Sequence, residues 1–230
     1  MKIQALVLCG GKGERLRPLT SNIPKPMIKI NNKPILEYVI DHIISFNIDE
    51  IILLTGYKGE LIEEKIKKKY INNNIIFSNS GDVDIIKRIK NANAAKLIND
   101  DFLLFYGDTI SDVKIDKLIK HHKKLKRDMT MTLWPLQSQF GIIDVDSNNL
   151  IYSYREKPIL DHWINIGYFF INYELLPSMK KYEKFESFLL DLIKKRNVSG
   201  FKHRGAHITV NTVAELEKAE KNIIMINQES

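Results

Sequence analysis

The stretch KIQALVLCGGKGERLRPLTSNIPKPM, residues 2–27, decides the fold. Residues 2–9 form a nearly unbroken apolar run, the pattern of a parallel strand buried on both faces. It ends in Gly10, Gly11 and Gly13, followed by Arg15 and by Lys25 held between Pro24 and Pro26. Ligands of open α/β sheets bind beyond the carboxyl ends of the strands, where this loop stands. Glycines let the backbone approach a ligand closely, and their N–H groups can line a concavity for an anion. Arg15 adds a fixed fork of donors suited to phosphate oxygens. Lys25, stiffened by its prolines and expected to be exposed in the loop, presents a point charge at a fixed distance.

Outward from this loop, apolar runs and helical periods alternate. PILEYVIDHIISFN (34–47) sets Leu36, Val39, Ile40, Ile43 and Ile44 on one helical stripe. The strand EIILLT, the helix KGELIEEKIKKKY (58–70), the strand NIIFSNS, the helix VDIIKRIKNANAAKLI and the strand DFLLFYGD follow. This order predicts an α/β fold, Rossmann-like and doubly wound, with a mainly parallel sheet and helices on both faces. After about residue 128 the strand-like runs MTMTLWPL, GIIDVDSN, LIYSYREKP and WINIGYFFIN come without long helices between them, which predicts an antiparallel extension. FESFLLDLIKK and NTVAELEKAEKNIIMIN are the last predicted helices. No linker or internal repeat divides the chain, so residues 1–230 are expected to form one domain. Residues 1–127 would be its nucleotide-binding half and 128–230 its acceptor-binding half.

Composition narrows the function. At 230 residues with 44% apolar and 27% charged, the chain reads as soluble and globular, and no apolar run is long enough to span a bilayer. The start is too short and too quickly ended by glycine for a signal peptide. The lone Cys9 cannot form an intrachain disulfide. A cytoplasmic protein is expected, and Cys9 reads as a small core residue. Much of the net charge of +7 lies in two helical runs, 58–70 and 117–127, which read as solvated faces. Neither carries the interleaved aromatics of a nucleic-acid surface. A small polyanionic substrate is the expected partner, with no nucleic acid and no membrane; a homo-oligomer is compatible with the sequence.

Two glycine motifs are excluded. The dinucleotide fingerprint would need glycine where Leu16 stands, and the Walker A pattern is absent. Instead GGKGERLRPLT…PKPM resembles the signature of the nucleoside-triphosphate:sugar-1-phosphate nucleotidylyltransferases. GYKGELIEE, FLLFYGD, FGIIDVD, YREKP and INIGYFF follow as further landmarks in order, so the resemblance covers nearly the whole chain. Details lean toward the glucose-1-phosphate cytidylyltransferase branch, including the small phosphoglutamine cytidylyltransferases of capsule phosphoramidate synthesis.

The resemblance implies a nucleotidyltransferase (GT-A-like) fold. It also implies a Mg²⁺-dependent transfer of CMP from CTP to a small phosphorylated acceptor, phosphoglutamine-type or sugar-1-phosphate, in capsule or surface-polysaccharide precursor synthesis. A UTP-, dTTP- or GTP-dependent relative is the alternative. Arg15 would meet the triphosphate and Lys25 the reacting phosphates. The nucleotide would lie against Leu8, Gly10, Gly11 and Gly13 and against Asn79, Ser80 and Gly81. This last segment departs from the family pattern, with Asp82, Val83 and Asp84 where small residues are usual. Glu156, Lys157 and Asn165 would contact the acceptor. Asp108 reads as a Mg²⁺ ligand or as a turn and cap aspartate. Asn211 reads as a second, uncharged ligand or as the N-cap of the last helix. The histidines form no zinc pattern, since His121 and His122 point apart on a helix and Gly205 separates His203 from His207.

Overall fold

The computed structural model describes residues 3–48 and 50–226. Lys2 of the predicted first strand and Asn227 of the predicted last helix lie outside these residues. In chain order the first elements are β1 (Gln4–Leu8), β2 (Lys29–Ile30), β3 (Lys33–Pro34), α1 (Ile35–Ile44), β4 (Glu50–Thr55), α2 (Gly59–Lys69), β5 (Ile75–Asn79) and α3 (Ile85–Ala94). Next come β6 (Phe102–Tyr106), β7 (Thr109–Ser111), α4 (Ile115–Leu125), β8 (Met129–Gln137), β9 (Ile142–Val145), β10 (Ile151–Arg155) and β11 (Ile159–Ile171). The chain continues through α5 (Leu176–Met179), α6 (Phe185–Lys194), β12 (Val198–Lys202), β13 (His207–Thr209) and α7 (Val213–Ile226).

A seven-stranded sheet runs in the order β12-β8-β11-β6-β1-β4-β5. Strands β5, β4, β1 and β6 are parallel neighbours, as the alternation of strands and helices predicted. β11 is antiparallel to both β6 and β8, and β12 closes the far edge parallel to β8. The antiparallel extension is therefore one long strand set between parallel ones, with β9 and β10 paired as a separate ribbon.

Alternate side chains of each strand go to opposite faces. On one face Ala5, Val7, Leu103, Phe105 and Phe170 pack with Leu36, Ile40, Ile62, Ile66 and Leu118 of α1, α2 and α4. On the other, Leu6, Leu54, Leu104 and Phe169 pack with Ile86 and Ile89 of α3 and with Phe188 and Leu192 of α6. Helices thus cover both faces. The lysines of the two basic runs stay exposed on α2 and α4, whose buried positions include Ile62, Ile66, Ile115 and Leu118. They are solvated faces, as predicted.

A third cluster matters most for function. Leu16 and Ile28 from the opening loop, Ile30 and Ile35, Ile110 of β7, Ile208 of β13 and Ala219 and Ile223 of α7 are buried together. Each of the leucine and isoleucine side chains contributes about 1.5–3 kcal/mol of burial. This cluster draws the end of the chain against its beginning, with β13 pairing antiparallel to β7. Strands β2, β3, β7, β12 and β13 are absent from the sequence reading. All are short, and VSGFK of β12 carries a serine and a glycine that blunt any strand signal.

Candidate active site

Gly13 explains the shape of the opening loop. It sits at φ +64 ahead of a 3-10 turn over Glu14–Leu16, and a Cβ there would stand 2.8 Å from the Lys25 Cβ. Only glycine takes this left-handed conformation and also admits the lysine stem so closely. A third turn, over Lys25–Met27, follows Pro24, and Lys25, Pro26 and Met27 are all buried. Lys25 is only 8% exposed, which corrects the expectation of an exposed loop residue. Its stem runs under the loop and its head group emerges into the cleft.

That head group organises the site. Lys25 Nζ is 2.5 Å from Asp108 Oδ2 and donates to Asn211 Oδ1 at 3.0 Å. Arg15 Nη2 reaches the same Asn211 oxygen at 3.4 Å. Four residues named from widely separated parts of the sequence thus share one hydrogen-bonded group. Asp108 follows β6 and is carried to the site by that strand. Asn211 follows β13 and is carried by the third apolar cluster.

The local contacts around Asn211 bear on its reading as a cap. Thr212, not Asn211, caps α7: its Oγ1 accepts from Glu215 N at 3.2 Å, while the Glu215 carboxylate accepts from Asn211 N at 2.6 Å. This reciprocal cap leaves the Asn211 side-chain oxygen directed at Lys25 and Arg15. Thr212→Ala is expected to cost about 1 kcal/mol of stability, read from a denaturation midpoint, with little change in turnover.

Two adjoining cavities meet at this group. One, of about 370 Å³, is lined by Leu8, Gly10, Gly11, Lys25, Pro26, Tyr106 and Asp108 and by Asp82, Val83, Asp84, Ile85 and Arg88. The other, of about 530 Å³, runs along Gly11 to Leu16 with Lys25, Asp82, Asp108 and Asn211. The loop residues, Arg15, Lys25, Asp108 and Asn211 are therefore brought together in one cleft. Across the cleft mouth, Lys12 Nζ lies 2.6 Å from Asp82 Oδ2. This contact raises the lysine pKa and lowers that of the carboxyl, tying the glycine loop to the segment before α3.

Asn79, Ser80 and Gly81 line neither cavity; Asp82–Ile85, immediately after them, line the first. The Asn79 oxygen accepts from Gly81 N, and Ser80 Oγ accepts from Asn91. The Asn165 oxygen on β11 accepts from Gly167 N at 2.9 Å, and Gly167 lies against Tyr106, whose ring lines the first cavity. Glu156 and Lys157 line neither cavity: they are exposed beyond β10, where Tyr154 donates to the Glu156 carboxylate. Cys9 is 1% exposed, and burial pushes its thiol pKa well up, which removes it as a nucleophile.

Arg88 was not singled out from the sequence, and Asp82 was noted there only as a departure from the family pattern. Arg88 had a legible signal: it stands three residues after Ile85 and four before Ala92, on the apolar stripe of α3. A charged residue on that stripe has to find partners inside the fold.

The glycine loop, the paired lysine and the carboxylate thus stand together at a cleft beyond β1 and β6. Residues 4–208 match the nucleotidyl transferase family. The chain belongs to that family. The resemblance read from the opening loop holds at the level of that family. It is 32% identical over 231 residues to the bifunctional protein GlmU of Methanocaldococcus jannaschii, covering 96% of this chain and 54% of that protein. The chain thus spans about half the length of that relative. It is 30% identical to D-glycero-alpha-D-manno-heptose 1-phosphate guanylyltransferase of Aneurinibacillus thermoaerophilus, covering 96% of this chain and 98% of that one. It is 28% identical to a probable glucose-1-phosphate cytidylyltransferase of Bacillus subtilis, covering 95% of each. Among solved structures, a glucose-1-phosphate thymidylyltransferase from Bacillus anthracis, described as putative, superposes with a TM-score of 0.76 at 16% identity, covering 95% of this chain and 94% of that one. HddC from Yersinia pseudotuberculosis, complexed with GMP-PN, gives 0.74 at 24% identity, covering 96% and 99%. Both show the same fold. No helix among the described residues is long and apolar enough to cross a membrane.

Proposed function

We propose that this nucleotidyltransferase moves CMP from CTP onto the phosphate of a small acceptor, a sugar-1-phosphate or a phosphoglutamine-type compound, and releases pyrophosphate. The expected setting is cytoplasmic synthesis of capsule or surface-polysaccharide precursors. The observation that carries the reading is the group formed by Arg15, Lys25, Asp108 and Asn211 where the two cavities meet.

An oxygen of the acceptor phosphate forms a bond to the α-phosphorus while the bond to the bridging oxygen breaks and pyrophosphate departs. Both reactants are anions, so the protein's work is to align them and to offset charge. The backbone of Gly10, Gly11 and Gly13 cradles the triphosphate, Arg15 holds its outer phosphates, and Lys25 approaches the α-phosphate. Asn165, beside Tyr106, faces the acceptor. Glu156 and Lys157 are reached only by an acceptor that extends past Asn165.

The donor set fits a divalent cation of the Mg²⁺ type. Among the described residues no group of three or more His, Cys, Asp or Glu can hold a metal ion. One carboxylate and one amide oxygen suit a hard cation that keeps water and takes its remaining ligands from substrate phosphates. When bound, it offsets charge on the phosphates. Asn211→Asp adds a full charge to the set and is expected to lower the half-saturating Mg²⁺ concentration about fivefold or more. A flat metal dependence in that variant would remove Asn211 from the metal site.

The base assignment rests on the cytidylyltransferase resemblance and on two acceptors, the carboxylates of Asp82 and Asp84, which line the first cavity. They suit the exocyclic amine of cytosine and disfavour the carbonyl that uracil carries there. CTP is expected to exceed UTP and the purine triphosphates in kcat/KM by at least roughly tenfold, about 1.4 kcal/mol of discrimination. The measurement is pyrophosphate release for each triphosphate crossed with a panel of phosphorylated acceptors. Carboxylates also suit the N1 and N2 donors of guanine, and a guanylyltransferase is among the relatives. A preference for GTP would replace the cytidylyl assignment and leave the reaction class standing.

A further inference from the structure

Arg88 is buried in the wall of the first cavity, 5% exposed, and among the described residues no carboxylate is hydrogen-bonded to it. Its Nη1 donates to the Thr55 carbonyl at 2.6 Å and its Nη2 to the Gly10 carbonyl at 3.2 Å. The guanidinium is thereby wedged between the loops that follow β1 and β4. A Cβ on Gly10 would fall 2.0 Å from Nη1, and one on Gly56 would fall 2.4 Å from it. Two glycines from separate loops therefore make room for one guanidinium. This arrangement orients the group.

Among the described residues these two hydrogen bonds use two of the five donors a guanidinium carries. The other polar groups of the cavity are more fully engaged. Lys25 and Asp108 hold each other, Asp82 is paired with Lys12, and Asp84 Oδ1 accepts from Ile86 N and Phe185 N at 3.0 Å each. Arg88 shares the cavity with Leu8, Val83, Ile85 and Tyr106, flat or apolar surfaces of the kind a base packs on. A donor-only group fixed among such surfaces recognises adjacent acceptor atoms, and guanidinium geometry suits two of them side by side. Cytosine presents that pair as N3 and O2. Uracil replaces the N3 acceptor with an N–H donor.

We propose that Arg88 is a specificity-determining residue, reading the N3 and O2 acceptors of the cytosine base while its other donors hold the Gly10 and Thr55 carbonyls. The inference rests on the CTP reading above and deepens it. It assigns discrimination at N3 to Arg88 and leaves the N4 amine to the acceptor groups of Asp82 and Asp84.

The test compares CTP with 3-deaza-CTP, in which N3 is replaced by C–H, by calorimetric binding to the intact protein with Mg²⁺ present. A hydrogen bond to a charged donor is lost, so the analogue is expected to bind about 10- to 100-fold more weakly to the wild type. In Arg88→Gln the gap between the two ligands is expected to shrink to about threefold or less, with CTP itself bound more weakly. Equal binding of the two ligands by the wild type would overturn the proposal, and this arm needs no variant to fold. A folded Arg88→Gln that keeps the full gap, with only its thermal stability lowered, would also overturn it and leave Arg88 as a tie between loops. Failure of CTP to bind while another triphosphate binds would sink the cytidylyl reading and this inference together. CTP preference without sensitivity to N3 would sink this inference alone.

Discussion

Lys25→Met is expected to lower turnover by about 10²–10³-fold while leaving the protein folded. Removal of one charge contact that matters in the transition state typically has an effect of this size. Methionine suits the test better than alanine, because the Lys25 stem is buried and packs against Gly13. It fills much of the same space, so any loss is assigned to the ammonium group and not to a cavity beneath the loop. Asp108 loses its ion-pair partner, but its side chain is 31% exposed and can be hydrated. The melting temperature is therefore expected to move by only a few degrees. Near-normal turnover in a folded Lys25→Met protein would remove Lys25 from the chemistry.

Asp108→Asn is expected to reduce turnover by about 10²-fold or more and to raise the Mg²⁺ concentration needed for what remains. The substitution keeps shape and one oxygen but removes the one carboxylate that, among the described residues, is hydrogen-bonded to Lys25. It also leaves the proposed metal site with no charged protein ligand, which weakens binding of a hard divalent cation. A titration of initial rate against Mg²⁺, wild type beside variant, separates lost affinity from lost maximal rate. Activity that persists in EDTA, in either protein, would contradict the metal assignment.

The parallel core was legible because its strands are near-continuous apolar runs, and the intervening helices carry clear stripes such as Leu36, Val39, Ile40 and Ile43. Arg15, Lys25 and Asp108 were legible because a dense local pattern marked them, and the fold brings them together. What escaped was set by tertiary contacts. Lys25 reads as exposed when its neighbours are two prolines, yet the close approach of Gly13 folds the loop over its stem. Asn79, Ser80 and Gly81 stand at a strand end, but the chain turns so that Asp82–Ile85 face the cavity instead. Asn211 stayed ambiguous because Asn and Thr are both good caps. Only the hydrogen bonds of Thr212 and Glu215 show which one serves. Arg88 marked the apolar stripe of α3, but its partners are backbone carbonyls, which no side-chain pattern reveals.

The central claim is that an acceptor phosphate attacks the α-phosphorus in the cleft organised by Lys25 and Asp108. Radiolabelled CTP tests it most directly, with the label at the α-phosphate in one reaction and at the γ-phosphate in another, each with a phosphorylated acceptor and Mg²⁺. The account predicts that α-label moves onto the acceptor and γ-label appears in pyrophosphate, in equal amounts, and that both transfers fall by about 10²–10³-fold in Lys25→Met. Release of γ-label as inorganic phosphate, or α-label transfer that Lys25→Met leaves unchanged, would contradict it.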